Sequence, residues 1–282
     1  MLPAVPSKKC GQHPPSNLLD ISLFFCYRLY SMSSLAGEDM LIDLGKWTEA
    51  ELDKILREAS LIEDAGSRIE FLSGIFIGLA YKESTLLGNI STAEVFVINF
   101  SGVDCFTFID YIEAMRLSDS FESFLRNLKQ VRYLNGIVSF KNRKHFFTDW
   151  AEHAPSSVDD LTVQIGGGKV KNIAKAMNLT ENGTSFLPGI ESFNRTINYI
   201  PSEDINSSVL QKLKTGDYAG IYSSMQGLDV SHVGIIIRDR DTFSLRHASS
   251  DRRSRKVVDQ ELQEYISGTP GLIILRPRDY HG

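Results

Sequence analysis

The sequence is poor in cysteine, with three in 282 residues, at positions 10, 26 and 105. Three scattered cysteines do not make the disulfide framework of a small secreted domain, and no Cys-x-x-Cys pair indicates a zinc knuckle. If Cys10 and Cys26 formed a disulfide, Cys105 would remain free. The cysteine count therefore leaves the redox compartment open and allows a reactive thiol.

Long apolar runs, a positive net charge and internal repeats are also missing. No segment reaches the roughly 18 apolar residues of a transmembrane helix, so we expect no membrane span. The net charge of −5 argues against a protein that binds nucleic acid through its overall charge. The apolar fraction of 42% and the charged fraction of 23% are those of an ordinary globular protein with a sizeable core.

Residues 1–40 have the outline of a signal peptide, with two lysines, a short apolar run and then small residues. Asp20 and Arg28 interrupt that outline, and a disordered leader is the alternative. We expect a periplasmic or secreted protein, or a cytoplasmic one if the leader is no signal. Residues 41–282 are predicted to form a single domain.

The N-terminal half is predicted to be helical. Thr48 and Glu51 have the spacing of a capping box at the start of a first helix. Residues 67–84 have the pattern of a more buried second helix, an amphipathic third helix runs through Cys105, and a fourth covers residues 121–134.

The rest of the chain changes character twice. Residues 150–210 have weak periodicity and many Asn, Gly, Ser and Thr residues, which predicts a long insertion of loops with short elements. The C-terminal third contains the short β-rich runs "GDYAGIYS", "HVGIIIRD", "FSLRHASS" and "GLIILRP", with a hairpin turn near residues 239–241. Helices followed by an antiparallel sheet indicate an α+β fold.

Cys105 lies where a helix is predicted to begin. Either Ser101 or Asp104 is the predicted N-cap, and both place the thiol within about one turn of the positive end of the helix. That position favours the thiolate, the reactive form of cysteine. The alternative is a buried cysteine that packs as a small apolar side chain.

Two histidines favour the reactive interpretation. His232 begins one predicted strand and His247 ends the next, so the hairpin is expected to bring them nearly opposite each other. One imidazole could take the thiol proton while the other orients it. Each histidine alone could instead be a hydrogen-bonded residue at a strand end. A zinc site would need a fourth ligand, for which His145 is the one nearby histidine that we can name.

These residues resemble a known family. "DCFTFIDYI" is similar to the start of the catalytic helix in the NlpC-type papain-like cell-wall hydrolases, and "GDYAGIY", "SHVGIII" and "RHASS" resemble their core strands in the same order. The resemblance covers residues 99–277. It implies a papain-like fold, with N-terminal helices packed on a C-terminal antiparallel sheet, and a triad of Cys105, His232 and His247.

From about residue 41 onward, the whole chain also resembles a narrower branch of this hydrolase family. The stretches "VINFSGVDCFTFIDYIEAM" and "LDVSHVGI" have close counterparts in the N-acetylmuramoyl-L-alanine amidase-like proteins. This resemblance implies cleavage of the amide between muramic acid and L-alanine, without a metal or other cofactor. Phe106 departs from the Gly or Ser typical of the family, so its ring is expected at the site entrance or in the core.

Charge and clustering suggest residues that bind the substrate. Residues 141–145 and 252–256 are basic runs in an acidic protein and could hold the carboxylates of a muropeptide; two solvated loops are the alternative. The cluster from 143 to 150 could bind sugar or stem peptide, or could be a packed connection with a buried ion pair. The substrate-binding candidates are Asp104, Arg143, His145, Asp149, Trp150, Asp229 and Ser231.

The predicted function is a monomeric cysteine amidase that acts on peptidoglycan fragments (muropeptides). Cys105 is the expected nucleophile, His232 the base and then the acid, and His247 the residue that orients His232. The alternatives are an endopeptidase that cuts between D-glutamate and the diamino acid, and a non-catalytic module that binds muropeptides.

Overall fold

A computed structural model describes residues 39–153 and 157–279. Cys10, Cys26 and nearly all of the predicted leader lie outside these residues. In the described part, no helix is long and apolar enough to cross a membrane. The architecture is a mixed α/β one, in which helices accompany an antiparallel sheet.

Eight α-helices occur among the described residues. They are α1 (Glu49–Ser60), α2 (Ala65–Gly74), α3 (Cys105–Arg116), α4 (Phe121–Arg132), α5 (Asp149–Glu152), α6 (Thr162–Gly166), α7 (Ser207–Leu210) and α8 (Leu262–Ile266).

Ten strands occur in the same part of the chain. They are β1 (Met40–Asp43), β2 (Phe96–Asn99), β3 (Val158–Asp160), β4 (Lys171–Met177), β5 (Phe193–Pro201), β6 (Tyr218–Tyr222), β7 (Val230–Asp239), β8 (Thr242–Ala248), β9 (Val257–Glu261) and β10 (Gly271–Pro277). Strands β1 and β2 form a small parallel pair. The large sheet is antiparallel, with the order β4-β5-β10-β6-β7-β8-β9, and β3 pairs with β10.

Helix α1 begins as its sequence predicts. The Thr48 side chain accepts the backbone N–H of Glu51, and the Glu51 carboxylate accepts the backbone N–H of Thr48 at 2.7 Å. This reciprocal pair satisfies two of the N–H groups that a helix start leaves without a partner.

Helix α2 is shorter than predicted. It ends at Gly74, whereas the pattern predicted helix as far as residue 84. Gly78 has a φ of +85°, a left-handed conformation that stops a helix and that glycine adopts without strain. Beyond it, Ala80 and Tyr81 form single bridges with Lys256 and Val103. The segment after α2 therefore lies next to the loop that precedes β9.

Helix α3 is buried on every side, although its sequence predicted an amphipathic helix. Its acidic side chains have buried cationic partners, although one carboxylate oxygen of Asp110 has no hydrogen-bond partner in the described part of the chain. Glu113 accepts hydrogen bonds from Arg116 at 2.8 and 2.7 Å and from the Tyr218 hydroxyl at 2.8 Å. Asp110 accepts one from Arg132 at 2.9 Å. Charges paired in this way can occupy a core helix, so polar residues did not mark a solvent-facing side.

The core lies on both faces of the large sheet. Along β7, Val233, Ile235 and Ile237 belong to the apolar cluster shared with α1 to α4. Ile236 belongs to the opposite cluster, which includes residues of α6, α7 and α8. This alternation is the two-residue period of a strand buried on both faces.

The predicted hairpin is confirmed, and the expectation of mainly loops between 150 and 210 is wrong. Strands β7 and β8 pair as far as Asp239 and Thr242, which leaves a two-residue turn in which Arg240 has a φ of 54°. Strands β4 and β5 pair along seven residues, from Lys171–Tyr199 to Met177–Phe193. Many residues of these two strands are polar and exposed, so the sequence has no clear apolar alternation that would predict a long hairpin.

Candidate active site

Cys105 is the first residue of α3, and Asp104, not Ser101, is its N-cap. The Asp104 carboxylate accepts hydrogen bonds from the Thr107 backbone N–H at 2.7 Å and from the Thr107 hydroxyl at 2.9 Å. The Thr107 hydroxyl oxygen in turn accepts the Asp104 N–H at 3.0 Å. This cap fixes the sulfur in the first turn of the helix.

The thiol of Cys105 faces strand β7 and is 8% exposed. Burial raises its pKa to about 12, and the neighbouring Asp104 adds to the increase. The backbone N–H of Val233, which donates to the sulfur, acts in the opposite direction. In the free protein the thiol is therefore neutral, although it lies at a helix N-terminus.

His232 and His247 are hydrogen-bonded to each other. His232 Nε2 lies 2.7 Å from His247 Nδ1, and the two rings are nearly perpendicular, with centroids 4.8 Å apart. The last backbone pair of the hairpin is Ile235–Arg246, so His232 lies three residues beyond that pair and His247 only one. The histidines are thus diagonal neighbours, close to the nearly opposite placement that the sequence predicted, and long side chains meet across this diagonal.

Burial keeps both imidazoles neutral. It lowers the pKa of His232 to about 3, with a further contribution from His247. Burial also lowers the pKa of His247, against the opposing effects of Gln260 and Asp259. Neutral imidazoles are able to accept a proton, which is the state that a general base needs.

The structure brings Cys105 to β7, the strand that carries His232. The sulfur contacts the backbone of Val233, the residue after His232. No direct hydrogen bond between the Cys105 thiol and either imidazole occurs among the described residues. Catalytic hydrogen bonds are often long in the absence of substrate and shorten when it binds.

Three further side chains at this site carried no signal in the sequence. His247 Nε2 lies 2.6 Å from the Gln260 side-chain oxygen on β9, a strand that was not predicted. The Tyr265 ring contacts both imidazoles, with centroids 5.9 Å from His232 and 4.9 Å from His247. Burial raises the pKa of Tyr81, and the nearby Cys105 adds to the increase. No sequence motif marks these three residues, which lie on β9, on α8 and in the segment after α2.

Arg143 and His145, two of the predicted substrate-binding residues, have partners within the protein. The guanidinium of Arg143 is buried against Glu94, with contacts of 3.0, 2.7 and 2.6 Å. His145 is also buried, and its Nε2 lies 2.8 Å from the carbonyl oxygen of Phe140. These contacts match the alternative interpretation, a packed connection with a buried ion pair.

Asp149, Trp150 and Asp229, also predicted to bind substrate, are buried as well. Asp149 accepts a hydrogen bond from Arg195 at 2.8 Å, and Asp229 accepts two from Thr148 at 2.7 and 2.9 Å. The Trp150 ring packs edge-on against Phe106 and Tyr218.

Phe106, Asp104 and Ser231 complete the placement of the predicted residues. The Phe106 ring is in the core, which settles the departure from the family pattern. Asp104 adjoins the nucleophile and is the helix cap. Ser231 is exposed beside His232, so it is the substrate-binding candidate whose side chain is most open to solvent.

The two basic runs have different surroundings. In the first run Lys144 is buried as well as Arg143, and its ammonium donates to the Gln130 carbonyl at 3.0 Å. In the second run, residues 252–256, the four basic side chains are exposed. The Arg255 guanidinium lies 5.0 Å from the centre of the Tyr81 ring, so this run adjoins the surroundings of Cys105.

The zinc alternative has no ligand set in the described part of the chain. No group of three or more His, Cys, Asp or Glu side chains there is placed to hold a metal ion. His145, the proposed fourth ligand, faces the Phe140 carbonyl and ring of its own loop. The arrangement that the structure does show is a thiol next to the strand of His232, with the His232 imidazole hydrogen-bonded to that of His247. A thiol and imidazoles on adjoining elements are suited to acyl transfer.

Comparison with known proteins gives the family. The sequence profile of the N-acetylmuramoyl-L-alanine amidase-like (AmiA-like) family matches residues 71–272. A solved structure from Legionella pneumophila is similar, with a TM-score of 0.68 and 22% identity over 81% of this chain and 94% of that one. An N-acetylmuramoyl-L-alanine amidase from Bacteroides uniformis has a TM-score of 0.62 and 23% identity over 76% and 99%. No curated protein matches.

At these identities the solved structures show a shared fold and no more. The family profile spans well over half of the 282 residues and includes the helix of Cys105 and both histidine strands. On that evidence the chain belongs to the N-acetylmuramoyl-L-alanine amidase-like family.

Proposed function

We propose that this protein is a cysteine amidase that hydrolyses the amide between N-acetylmuramic acid and L-alanine in muropeptides. The observation that carries the proposal is the placement of Cys105 at the start of a buried helix, against the strand of His232, whose imidazole is hydrogen-bonded to His247. The family supports the choice of bond and substrate class. The order of a cysteine helix and then histidine strands supports a place among the NlpC-type papain-like hydrolases.

The first half of the proposed reaction breaks the amide. The Cys105 sulfur attacks the carbonyl carbon of the lactyl group, and the thiol proton passes to His232. His232 then gives this proton to the nitrogen of L-alanine as the C–N bond breaks. The stem peptide leaves with a free amino terminus, and the sugar remains on Cys105 as a thioester.

The second half releases the sugar. Water attacks the thioester carbonyl, and His232 takes one of its protons. The C–S bond breaks, the proton returns to the sulfur, and the product carries a free lactyl carboxyl group. Since Cys105 starts neutral, proton transfer must accompany the attack, and no stored thiolate is needed.

The negative oxygen of each intermediate needs hydrogen-bond donors. The backbone N–H of Cys105 lies in the first turn of α3, where it has no partner within the helix. The Tyr81 hydroxyl is a candidate for the second donor because it lies within electrostatic range of the sulfur.

Charge supports a substrate that carries carboxylates. The exposed basic run 252–256 adjoins Tyr81, on the side of Cys105. Stem-peptide carboxylates could be held there by arginines, which bind carboxylates with two parallel hydrogen bonds. We propose muropeptides as the partners, a monomer as the working state, and the periplasm or the outside of the cell as the place of action.

Product identity tests this function. The purified protein is incubated with N-acetylmuramic acid joined to a defined stem peptide, and the products are identified by mass spectrometry. We expect the intact stem peptide and a sugar with a free lactyl carboxyl group. Cuts within the stem would overturn the amidase in favour of the endopeptidase, and binding without any cut would overturn it in favour of the binding module.

A further inference from the structure

His232, His247 and Gln260 form a row that crosses three neighbouring strands. His232 lies on β7, His247 on β8 and Gln260 on β9. The backbone partner of His247 is Val258, and Gln260 lies two residues further along β9. Neighbouring members of the row are therefore diagonal partners on adjacent strands. A short hydrogen bond joins each pair, of 2.7 Å between His232 and His247 and of 2.6 Å between His247 and Gln260.

The far end of this row determines where the protons lie. An amide oxygen can only accept a hydrogen bond, so Gln260 Oε1 requires the proton of His247 on Nε2. His247 Nδ1 is then an acceptor, and it requires the proton of neutral His232 on Nε2. The nitrogen of His232 that remains without a proton is Nδ1, which is therefore the nitrogen able to accept one.

We infer that Gln260 is a positioning residue, which holds both histidines in the tautomers that make His232 Nδ1 the base for Cys105. This inference rests on the proposed function. The Gln260 side chain hydrogen-bonds His247 and acts on His232 through it. It extends the Cys105, His232 and His247 set by one residue, on a strand that the sequence did not predict.

The reverse arrangement would disable the site. If the Gln260 amide nitrogen faced His247, it would donate to Nε2 and move the proton of His247 to Nδ1. His232 would then accept at Nε2 and carry its proton on Nδ1, so neither of its nitrogens would be free to accept the thiol proton. The two orientations of one amide thus predict opposite activities.

Other groups around His247 do not replace this role. Asp259 acts on the charge of His247, but its carboxylate is held by Arg246 with contacts of 2.7 and 2.8 Å. Tyr265 contacts the rings of both histidines, and its pKa is raised by burial and by Cys105. Gln260 is the residue that hydrogen-bonds the outer nitrogen of His247.

Two substitutions of Gln260 separate orientation from packing. Gln260→Leu keeps similar bulk and removes the acceptor, and we expect kcat to fall by about 10- to 100-fold with little change in KM. Gln260→Glu keeps an acceptor that cannot reverse, and we expect kcat within about threefold of wild type. In the plot of kcat against pH, the acidic limb of this variant should move to higher pH, because the new carboxylate favours the protonated form of the His247 imidazole. The matched control is Gln263→Leu, the same change at an exposed position of α8.

The tautomers can be read without any substrate. Nitrogen-15 NMR of the wild-type protein with labelled histidine should show the proton on Nε2 of both His232 and His247. In Gln260→Leu this preference should be lost. A proton on Nδ1 of either histidine in the wild type would overturn the inference, and so would full kcat in Gln260→Leu.

These measurements keep the inference apart from the proposed function. A wild type that cuts no muropeptide but shows both Nε2–H tautomers would refute the amidase and leave the proton arrangement established. An active wild type with unchanged Gln260→Leu kinetics would refute the role of Gln260 alone.

Discussion

Asp104 has two opposing effects on Cys105. As the N-cap it holds the sulfur at the positive end of α3, which stabilises the thiolate. Its negative charge, with burial, raises the pKa of the thiol instead. Burial and the like charge outweigh the helix end, so the sequence-based expectation of a thiolate does not hold for the free protein.

Asp104→Asn separates the two effects. The asparagine oxygen can accept the same hydrogen bonds from Thr107, while the charge is lost. We expect the pKa of Cys105 to fall and iodoacetamide to alkylate it faster, by up to about tenfold for each unit of pKa. The comparison is the alkylation rate of the two proteins at one mildly alkaline pH, followed by intact mass.

A structural control accompanies this comparison. Asp104→Ala loses the cap as well as the charge, and should reduce the free energy of unfolding by about 0.5–2 kcal/mol. Slower alkylation of Asp104→Asn than of wild type would show that the charge does not govern the thiol.

At the scale of elements, α3 is held in the core by buried ion pairs. Arg132, the last residue of α4, donates to Asp110 at 2.9 Å and to the Val97 carbonyl of β2 at 2.7 Å. This one side chain joins two helices and a strand. Its loss would leave a buried carboxylate without its cation, which costs far more than the pair contributes.

Arg132→Met should therefore destabilise the protein by about 3–5 kcal/mol in urea-induced unfolding. The matched control is Arg126→Met on the same helix, whose partner Glu122 is 80% exposed. That change should alter the free energy of unfolding by less than about 1 kcal/mol. Equal effects of the two changes would contradict the role given to the buried pair.

Elements with a strong local pattern were predicted from the sequence, and elements with a weak pattern were not. The capping box at Thr48, the cysteine helix and the hairpin after His232 have clear local signals. Strands β4 and β9 are largely exposed and lack a regular apolar pattern, and the chain after α2 remains apolar although the left-handed Gly78 prevents a longer helix. The candidate site follows the same division: Cys105 and two histidines were predicted, whereas Gln260, Tyr265 and Tyr81 were not.

At the scale of the whole molecule, buried histidines link stability to pH. Burial lowers the pKa of His145 to about 3, and the neighbouring Arg143 adds to this. Unfolded histidine titrates near pH 6.5, so between about 6.5 and 3 the unfolded chain binds the proton and the folded one does not. Acidification through this window therefore destabilises the folded state.

His145→Gln isolates this contribution. Glutamine can still donate to the Phe140 carbonyl but binds no proton. Below pH 6.5, we expect the wild type to lose stability relative to the variant by up to about 1.4 kcal/mol per pH unit. Urea unfolding of both proteins at several pH values measures the difference. If the free energies of unfolding of the two proteins changed in parallel with pH, His145 would not be buried in its neutral form.

The central claim is that Cys105 is the nucleophile of an amidase. The most direct test is the rate of stem-peptide release from a defined muropeptide by wild type, Cys105→Ala and a Cys26→Ala control, with unfolding curves to verify the fold of each. We predict that Cys26→Ala matches the wild type and that Cys105→Ala loses activity by about a thousandfold or more. Release of the stem peptide by a folded Cys105→Ala at the wild-type rate would contradict the account.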